Sequence, residues 1–358
     1  MAIKVGVVGC GGIAQIEWLP YLHELDDYEV VALSDISAKV ANYYGDLYNI
    51  PKRFTDWHDV IACTDIDAVI VLNTEHTEVC VAAANAGLDI LVEKPLCDNM
   101  EQAEKIKEAV ERNKVILMVG EMKRYDPGYQ YARKLIQNMD GLRMIRSRDI
   151  CDGLMRSINE IYPVMRRSDV DNSAKEELAL RQRESLRKVT GSIDPSYFSH
   201  FLMAGIHDVE IMRSAFGEPR GVDYCDIWDG GKMALAILDY GDNVRATFEI
   251  GQTDQKWYEE ELVAFGRGQT IRVKFPHPYV KNQPTVVEII ENKDGMVQER
   301  RVEASFEEAF RAELKHFYIC VTERKEPITN INEGIRDVQL MTKMFQCYAR
   351  RVNNDKGK

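Results

Sequence analysis

The first 120 residues alternate between short apolar runs and stretches of helical spacing. IKVGVV (3–8), EVVALS (29–34), IDAVIVLN (66–73), DILV (89–92) and VILMV (115–119) are compact and rich in β-branched residues, as strands buried on both faces should be. Between them, residues 13–25, 37–49, 76–86 and 99–113 carry apolar positions three and four apart, the spacing of a one-sided helix. This alternation predicts a doubly wound parallel sheet. After Gly120 the rhythm changes. Residues 127–138 read as helix, 143–150 as strand, and 152–192 as a polar, charge-rich insertion or helical excursion. Residues 200–216 read as helix. From 222 to 298 alternating runs such as KMALAILDY, NVRATFEIG and TIRVKF are separated by Gly230-Gly231, Gly241-Asp242 and Gly266-Arg267-Gly268, which predicts an antiparallel sheet of hairpins. Two helices, about 305–322 and 332–351, close the chain. The expected division is a Rossmann domain over 1–122 and an α+β domain over 123–358 with a large open sheet, the last helix packing back on the first domain.

At 358 residues the chain has room for two domains. Its net charge of −12 argues against a nucleic-acid partner, which needs a basic face. An anionic cofactor stays open, because amide groups and a helix dipole can hold a diphosphate. The N-terminus reads as a strand entering a turn rather than a signal peptide, and no apolar window is long enough for a membrane span. Eight cysteines are scattered with no C-x-x-C pair, as reduced structural thiols are. A cytoplasmic location is expected.

Gly9-Cys10-Gly11-Gly12-Ile13-Ala14 fits G-x-G-x-x-A, directly after a strand and opening a helix. Gly9 serves the tight turn, Gly11 lets backbone approach a diphosphate, and Ala14 lets helix and strand pack closely. Asp35 ends the next strand and is placed to accept from an adenosine ribose and to repel a 2′-phosphate, which favours NAD over NADP. A glycine turn without cofactor is the plain alternative. Glu93-Lys94-Pro95 ends another strand on the edge where such sheets bind ligands. A lysine there can donate to a substrate oxygen and help move a proton, or be a solvated charge. His207 stands in an otherwise apolar helix, where a packed core histidine is the bland reading. His207, Asp208 and Glu210 do not share a helical face as i, i+4 ligands do, so no metal is expected.

These places together resemble the Gfo/Idh/MocA family, which includes glucose-fructose oxidoreductase and inositol dehydrogenase. The similarity takes in GCGGIA, Asn73 with His76, the EKP at 93–95, residues 120–127 (GEMKRYDP), Gly205-Ile206-His207 and the stretch from Phe310 to Pro327. The resemblance implies Lys94 as an active-site lysine and His207 as general base or acid. It implies a cofactor cleft lined by Gly9, Gly11, Gly12, Ile13, Ala14, Asp35, Asn73, His76, Glu93, Lys94 and Arg124. One position departs: many sugar-oxidising members have an aspartate four residues before the histidine, and this chain has Met203. Methionine cannot exchange a proton, so a carboxylate such as Asp194 is a candidate replacement.

The expected activity is therefore hydride transfer between NAD, released or tightly bound, and a secondary hydroxyl or ketone of a sugar, glycoside or polyol, with 3-oxidation of a glucoside as the narrower reading. Tyr125, Arg156, Asp194, Met203, His277 and Tyr279 are candidate substrate contacts. The 152–192 insertion is expected over the substrate cleft, with Arg156, Arg166 and Arg167 reaching a polar ligand, or else on the surface. A non-catalytic NAD-binding sensor or scaffold, an enzyme keeping its cofactor through a full cycle, and an imine or biliverdin-type reductase are the alternatives. A homo-oligomer is expected, on the argument that one face of the second sheet would otherwise be exposed and apolar.

Overall fold

A computed structural model describes residues 2–151 and 159–356. The chain divides into two compact units. The first comprises Met1–Glu121, Asn159–Ser185 and Phe310–Val338; the second comprises Met122–Ile158, Leu186–Ala309 and Gln339–Lys358. The first unit thus gathers two later stretches that a single division at residue 122 assigns to the second domain.

The first unit is built on six parallel strands in the order β3-β2-β1-β4-β5-β6. They are β1 (Ile3–Val8), β2 (Tyr28–Ser34), β3 (Lys52–Phe54), β4 (Ala68–Val71), β5 (Asp89–Glu93) and β6 (Leu117–Gly120). The order reverses at β1 and β4, so the loops after those strands open on a crevice at their carboxyl ends. Helices α1 (Leu19–Glu24), α2 (Ala38–Leu47), α4 (Thr77–Asn85) and α5 (Met100–Asn113) make the crossovers, with a π turn at Ala14–Trp18 leading into α1. Sequence periodicity missed β3 and the one-turn helix α3 (Trp57–Ile61), both too short to show a period. Two caps fix helix starts: the Ser37 hydroxyl accepts from the Val40 amide at 3.1 Å and the Asn99 side chain from Gln102 at 3.1 Å. The late stretch is joined by backbone and side chain alike. Thr329 exchanges bonds with Val119, and the Tyr28 hydroxyl donates to the Leu314 carbonyl at 2.5 Å.

The second unit carries an eight-stranded sheet in the order β14-β13-β12-β11-β7-β10-β9-β8. Its strands are β7 (Met144–Cys151), β8 (Gly221–Trp228), β9 (Met233–Gly241), β10 (Val244–Gln252), β11 (Glu259–Phe265), β12 (Gln269–Phe275), β13 (Val286–Lys293) and β14 (Met296–Glu303). All pairings are antiparallel except β7 with β10. Helices α6 (Pro127–Gln137) and α8 (Pro195–Phe216) are part of the same core. The polar insertion contains α7 (Asn172–Thr190), and the chain ends on α9 (Ala309–Glu323) and α10 (Ile331–Lys356). Helix α8 starts where Asp194 accepts from the Ser196 amide at 2.9 Å, with Pro195 in its first turn. A Cβ on Gly205 would lie 2.8 Å from the Phe248 ring, so only glycine lets α8 sit this close to β10.

The other face of this sheet, on which the argument for self-association rests, is charged over five of its strands. Alternate residues of five neighbouring strands form a ladder in which Arg148 meets Glu249 at 3.0 Å and Glu259 at 2.8 Å, Arg146 meets Glu261, and Arg272 and Lys274 meet Glu288 at 3.1 and 2.6 Å. Cross-strand pairs of opposite charge satisfy each other, while Leu235, Ile237, Trp228 and Met144 on the same face stay partly or largely exposed.

Phe248 is fully buried and meets Phe201 edge-on, with ring centroids 6.0 Å apart. Phe248→Ala should cost about 3–5 kcal/mol in urea unfolding. A loss below about 1 kcal/mol would mean that this core is not packed as described.

Candidate functional site

In the first unit the residues singled out from sequence converge at the carboxyl ends of β1, β2, β4 and β5. Gly9 follows β1 with φ of +94°, and a Cβ there would lie 2.6 Å from the Asn73 amide nitrogen. The turn therefore needs glycine for its backbone and for the close approach of the loop after β4. Nothing lies within 4 Å of where a Gly12 Cβ would stand. The helical stretch that follows, Ala14–Trp18 continuing into Leu19–Glu24, has Ile13 at its N-cap with no side-chain cap. An open glycine turn at an uncapped helix start fits an anionic diphosphate.

Asp35 lies at the end of β2, its carboxylate fully buried. It accepts from the Cys10 amide at 2.9 Å and the Ser37 amide at 2.9 Å. Arg167 also holds it, at 2.6 Å from Nη2 and 2.8 Å from Nε. Asp35 is therefore not the bare carboxylate of the sequence expectation, because a guanidinium is paired with it. Residues 165–169 of the insertion pack on the first unit near the glycine turn. Arg156 lies outside the described residues. Burial, with Asp35 beside it, pushes the Cys10 thiol well up, so Cys10 is a filler rather than a nucleophile.

Around Lys94 the groups are tightly coupled. The Glu93 carboxylate accepts from the Trp18 indole at 2.8 Å and from the Lys94 amide at 2.9 Å. Burial raises the Glu93 pKa against the pull of Lys94. His76 at the head of α4 bonds through Nδ1 to the Pro95 carbonyl at 2.8 Å, and burial holds its pKa down. A neutral imidazole and a half-buried amine thus share the end of β5. Behind them stands Glu313, completely buried, its pKa driven well up by burial and then by Glu93 and Glu121.

In the second unit His207 is half-buried on α8. Asp208 accepts from the Ser147 hydroxyl at 2.5 Å, whereas Glu210 lies 3.7 Å from Arg124. Arg124, expected in the cofactor cleft, belongs to this unit and is buried against Glu210. Tyr125 is buried in the adjacent 3₁₀ turn. Asp194 is spent on the α8 cap, about 20 Å of helical rise from His207, so it cannot replace a carboxylate one turn before the histidine. Met203 is 44% exposed.

Sequence reasoning missed a buried acidic group beside His207. Oxygens of Asp149, Asp208 and Glu260 all lie within 4.8 Å of one another. Lys123 pairs with Glu260, and Tyr258 donates to Glu260 as well. Burial raises the Asp208 pKa, with Lys123 opposing. Three carboxylates at this spacing are also a geometry for a cation; here the Lys123 ammonium supplies positive charge. His277 joins through its ring, 5.2 Å from Tyr258 and 5.9 Å from Tyr279. The signal was present in β7: Ser147 and Asp149 alternate with Ile145 and Cys151 on the inward face of MIRSRDIC.

The comparisons with known proteins fall on this geometry. Residues 3–121 match the family described as oxidoreductase family, NAD-binding Rossmann fold. Over those residues the chain is similar to the Gfo/Idh/MocA family. Inositol 2-dehydrogenase of Salmonella typhimurium is 35% identical over 142 residues, 38% of this chain and 42% of the relative. Inositol 2-dehydrogenase of Paracoccus denitrificans is 34% identical over 145 residues, 39% of this chain and 43% of the relative. The alignments thus span well under half the length of these relatives. Beyond them the likeness is one of fold. Aldose-aldose oxidoreductase from Caulobacter crescentus superposes with a TM-score of 0.75 at 16% identity, covering 98% of both chains. UDP-N-acetylglucosamine 3-dehydrogenase from Acidithiobacillus ferrooxidans gives 0.73 at 16% identity, covering 98% of this chain and 99% of the other. Among the described residues no helix is long and apolar enough to cross a membrane.

Glu313 yields a pH prediction. A carboxyl whose pKa is raised on folding binds its proton in the native state and loses it when unfolded. Its contribution is therefore full below the unfolded pKa of about 4.3 and is lost as pH rises toward the folded value. Glu313→Gln keeps the shape without the proton. The variant should be more stable than wild type at pH 8, and its advantage in urea unfolding should shrink at pH 5. The expected slope is up to about 1.4 kcal/mol per pH unit. An advantage independent of pH would show that Glu313 is ionised in the folded protein.

Proposed function

We propose that this protein is an NAD(P)-dependent oxidoreductase that moves a hydride between nicotinamide and a secondary hydroxyl or ketone of a sugar or polyol. The single observation carrying this reading is the convergence at one strand edge of the Gly9–Gly12 turn, the Asp35 carboxylate and Lys94. The dinucleotide supplies the hydride acceptor or donor. Everything else falls to the chain. The turn and uncapped helix hold the diphosphate, Lys94 polarises the substrate oxygen, and His207 takes or returns the hydroxyl proton.

The matched relatives are inositol 2-dehydrogenases, which supports a polyhydroxylated ring as substrate. Oxidation of a glycoside at its 3-hydroxyl is the finer proposal, in line with the sugar 3-dehydrogenase among the fold neighbours. Met203 favours no catalytic carboxylate one turn before His207. Asp208, next to it in sequence, is a buried carboxyl whose pKa burial raises. The same substitution would suit a non-catalytic sensor that binds dinucleotide without hydride exchange.

The test is turnover on a panel of inositols, free sugars and glycosides with NAD and NADP, reading reduced nicotinamide and oxidised product together. Lys94→Ala and His207→Ala should each lower kcat by at least about 100-fold, and His207→Ala should leave dinucleotide affinity within a few-fold. If both variants turned over like wild type, the assignment of these two residues would be wrong. Dinucleotide binding with no oxidation anywhere on the panel would favour the sensor.

A further inference from the structure

We propose that Arg167 determines which dinucleotide the protein prefers, and that the ribose end of the site accepts a 2′-phosphate. The inference rests on the reading of the first unit as a dinucleotide site. It contradicts the preference that Asp35 alone would impose.

The insertion lays a strap along the glycine turn. The Met165 amide donates to Gln15 Oε1 at 2.8 Å, and Gln15 Nε2 donates to the Cys10 carbonyl at 2.8 Å and the Met165 carbonyl at 3.1 Å. The Tyr44 hydroxyl secures the same Gln15 oxygen at 2.7 Å. Two residues past Arg167, Asp169 accepts from the Ser37 hydroxyl and, at 3.0 Å, from the Lys39 amide. The strap is thus fastened on both sides of Arg167, to the helix start and to the head of α2.

Arg167 is held by this frame at the place where a ribose would meet Asp35. Nε donates to Oδ1 at 2.8 Å and lies 3.1 Å from Oδ2, while Nη2 donates to Oδ2 at 2.6 Å. Oδ1 already accepts from the Ser37 amide and Oδ2 from the Cys10 amide. Each oxygen offers about two lone-pair sites, so each is filled by one amide and one guanidinium hydrogen. A ribose diol finds no acceptor there while Arg167 stays. The charge changes too, from that of a lone carboxylate to that of a neutral pair.

What the site offers in exchange is a donor. The third guanidinium nitrogen, Nη1, carries two hydrogens and takes no part in the bonds to Asp35. The Arg167 side chain is 34% exposed, and Nη2 lies 3.6 Å from where a Cβ on Gly11 would stand, beside the turn that meets the diphosphate. A planar fork with uncommitted hydrogens next to the adenosine is the chemistry that holds a phosphate dianion. Asp35 in this arrangement is a positioning residue that aims Arg167.

The experiment is calorimetry of the full-length protein with adenosine 5′-monophosphate and adenosine 2′,5′-bisphosphate, which read the adenosine end with no turnover. Wild type should bind the bisphosphate at least as tightly as the monophosphate. Arg167→Gln should weaken the bisphosphate by about tenfold or more, because its 2′-phosphate then faces a bare Asp35. The monophosphate should hold or tighten as the carboxylate is freed. Should Arg167→Gln not fold, Arg167→Lys, which keeps the charge and loses the fork, should still weaken the bisphosphate more than the monophosphate. Wild type preferring the monophosphate by about tenfold, or an affinity ratio unchanged in these variants, would overturn the proposal and leave the dinucleotide site standing. If neither nucleotide nor NAD nor NADP bound to wild type, the dinucleotide reading itself would fall, and the inference with it.

Discussion

The nucleotide end of the first unit is organised by one buried anion, Asp35. A carboxylate with no exposure is costly unless it is fully partnered, and this one draws its partners from three parts of the chain. The Cys10 amide comes from the turn after β1, the Ser37 amide from the loop after β2, and the Arg167 guanidinium from 132 residues away. Removing any of them would leave charge stranded, so the glycine turn, the start of α2 and the strap settle into one arrangement. The shape of the proposed diphosphate cradle follows from that arrangement.

The second unit handles buried charge in another way. Its sheet carries paired arginines and glutamates on one face and an apolar helical layer on the other. The inward face is interrupted where Asp149, Asp208 and Glu260 gather near Lys123. Burial alone would drive such carboxyls to hold protons, and the lysine offsets part of that cost. Of these three, burial raises the pKa of Asp208 on the helix that also carries His207.

Local pattern made much of this legible. Strands buried on both faces announce themselves as apolar runs, so the parallel sheet, the glycine turn and the positions of Asp35 and Lys94 could be read directly. The hairpins of the second sheet were equally visible through their Gly-rich turns. What sequence could not convey was which distant residue a buried charge would find. Arg167 reads as one more arginine in a polar insertion, and only the fold brings it to Asp35. Lys123 and Glu260 are separated in sequence by four of the second unit's eight strands. Asp194 looked available for chemistry, yet its position one residue before a proline and a helix made it a cap. On the outer face of the second sheet alternation alone does not show that the arginines and glutamates pair across strands, beside apolar residues such as Leu235 and Trp228.

The decisive observation is a crystal structure of the protein grown with excess NADP and, separately, NAD. The diphosphate should lie against the Gly11 and Gly12 backbone at the helix start, with the nicotinamide at the end of β5 beside Lys94. A nucleotide bound elsewhere, or a glycine turn left empty at saturating concentrations of both, would show that this edge of the sheet is not a dinucleotide site.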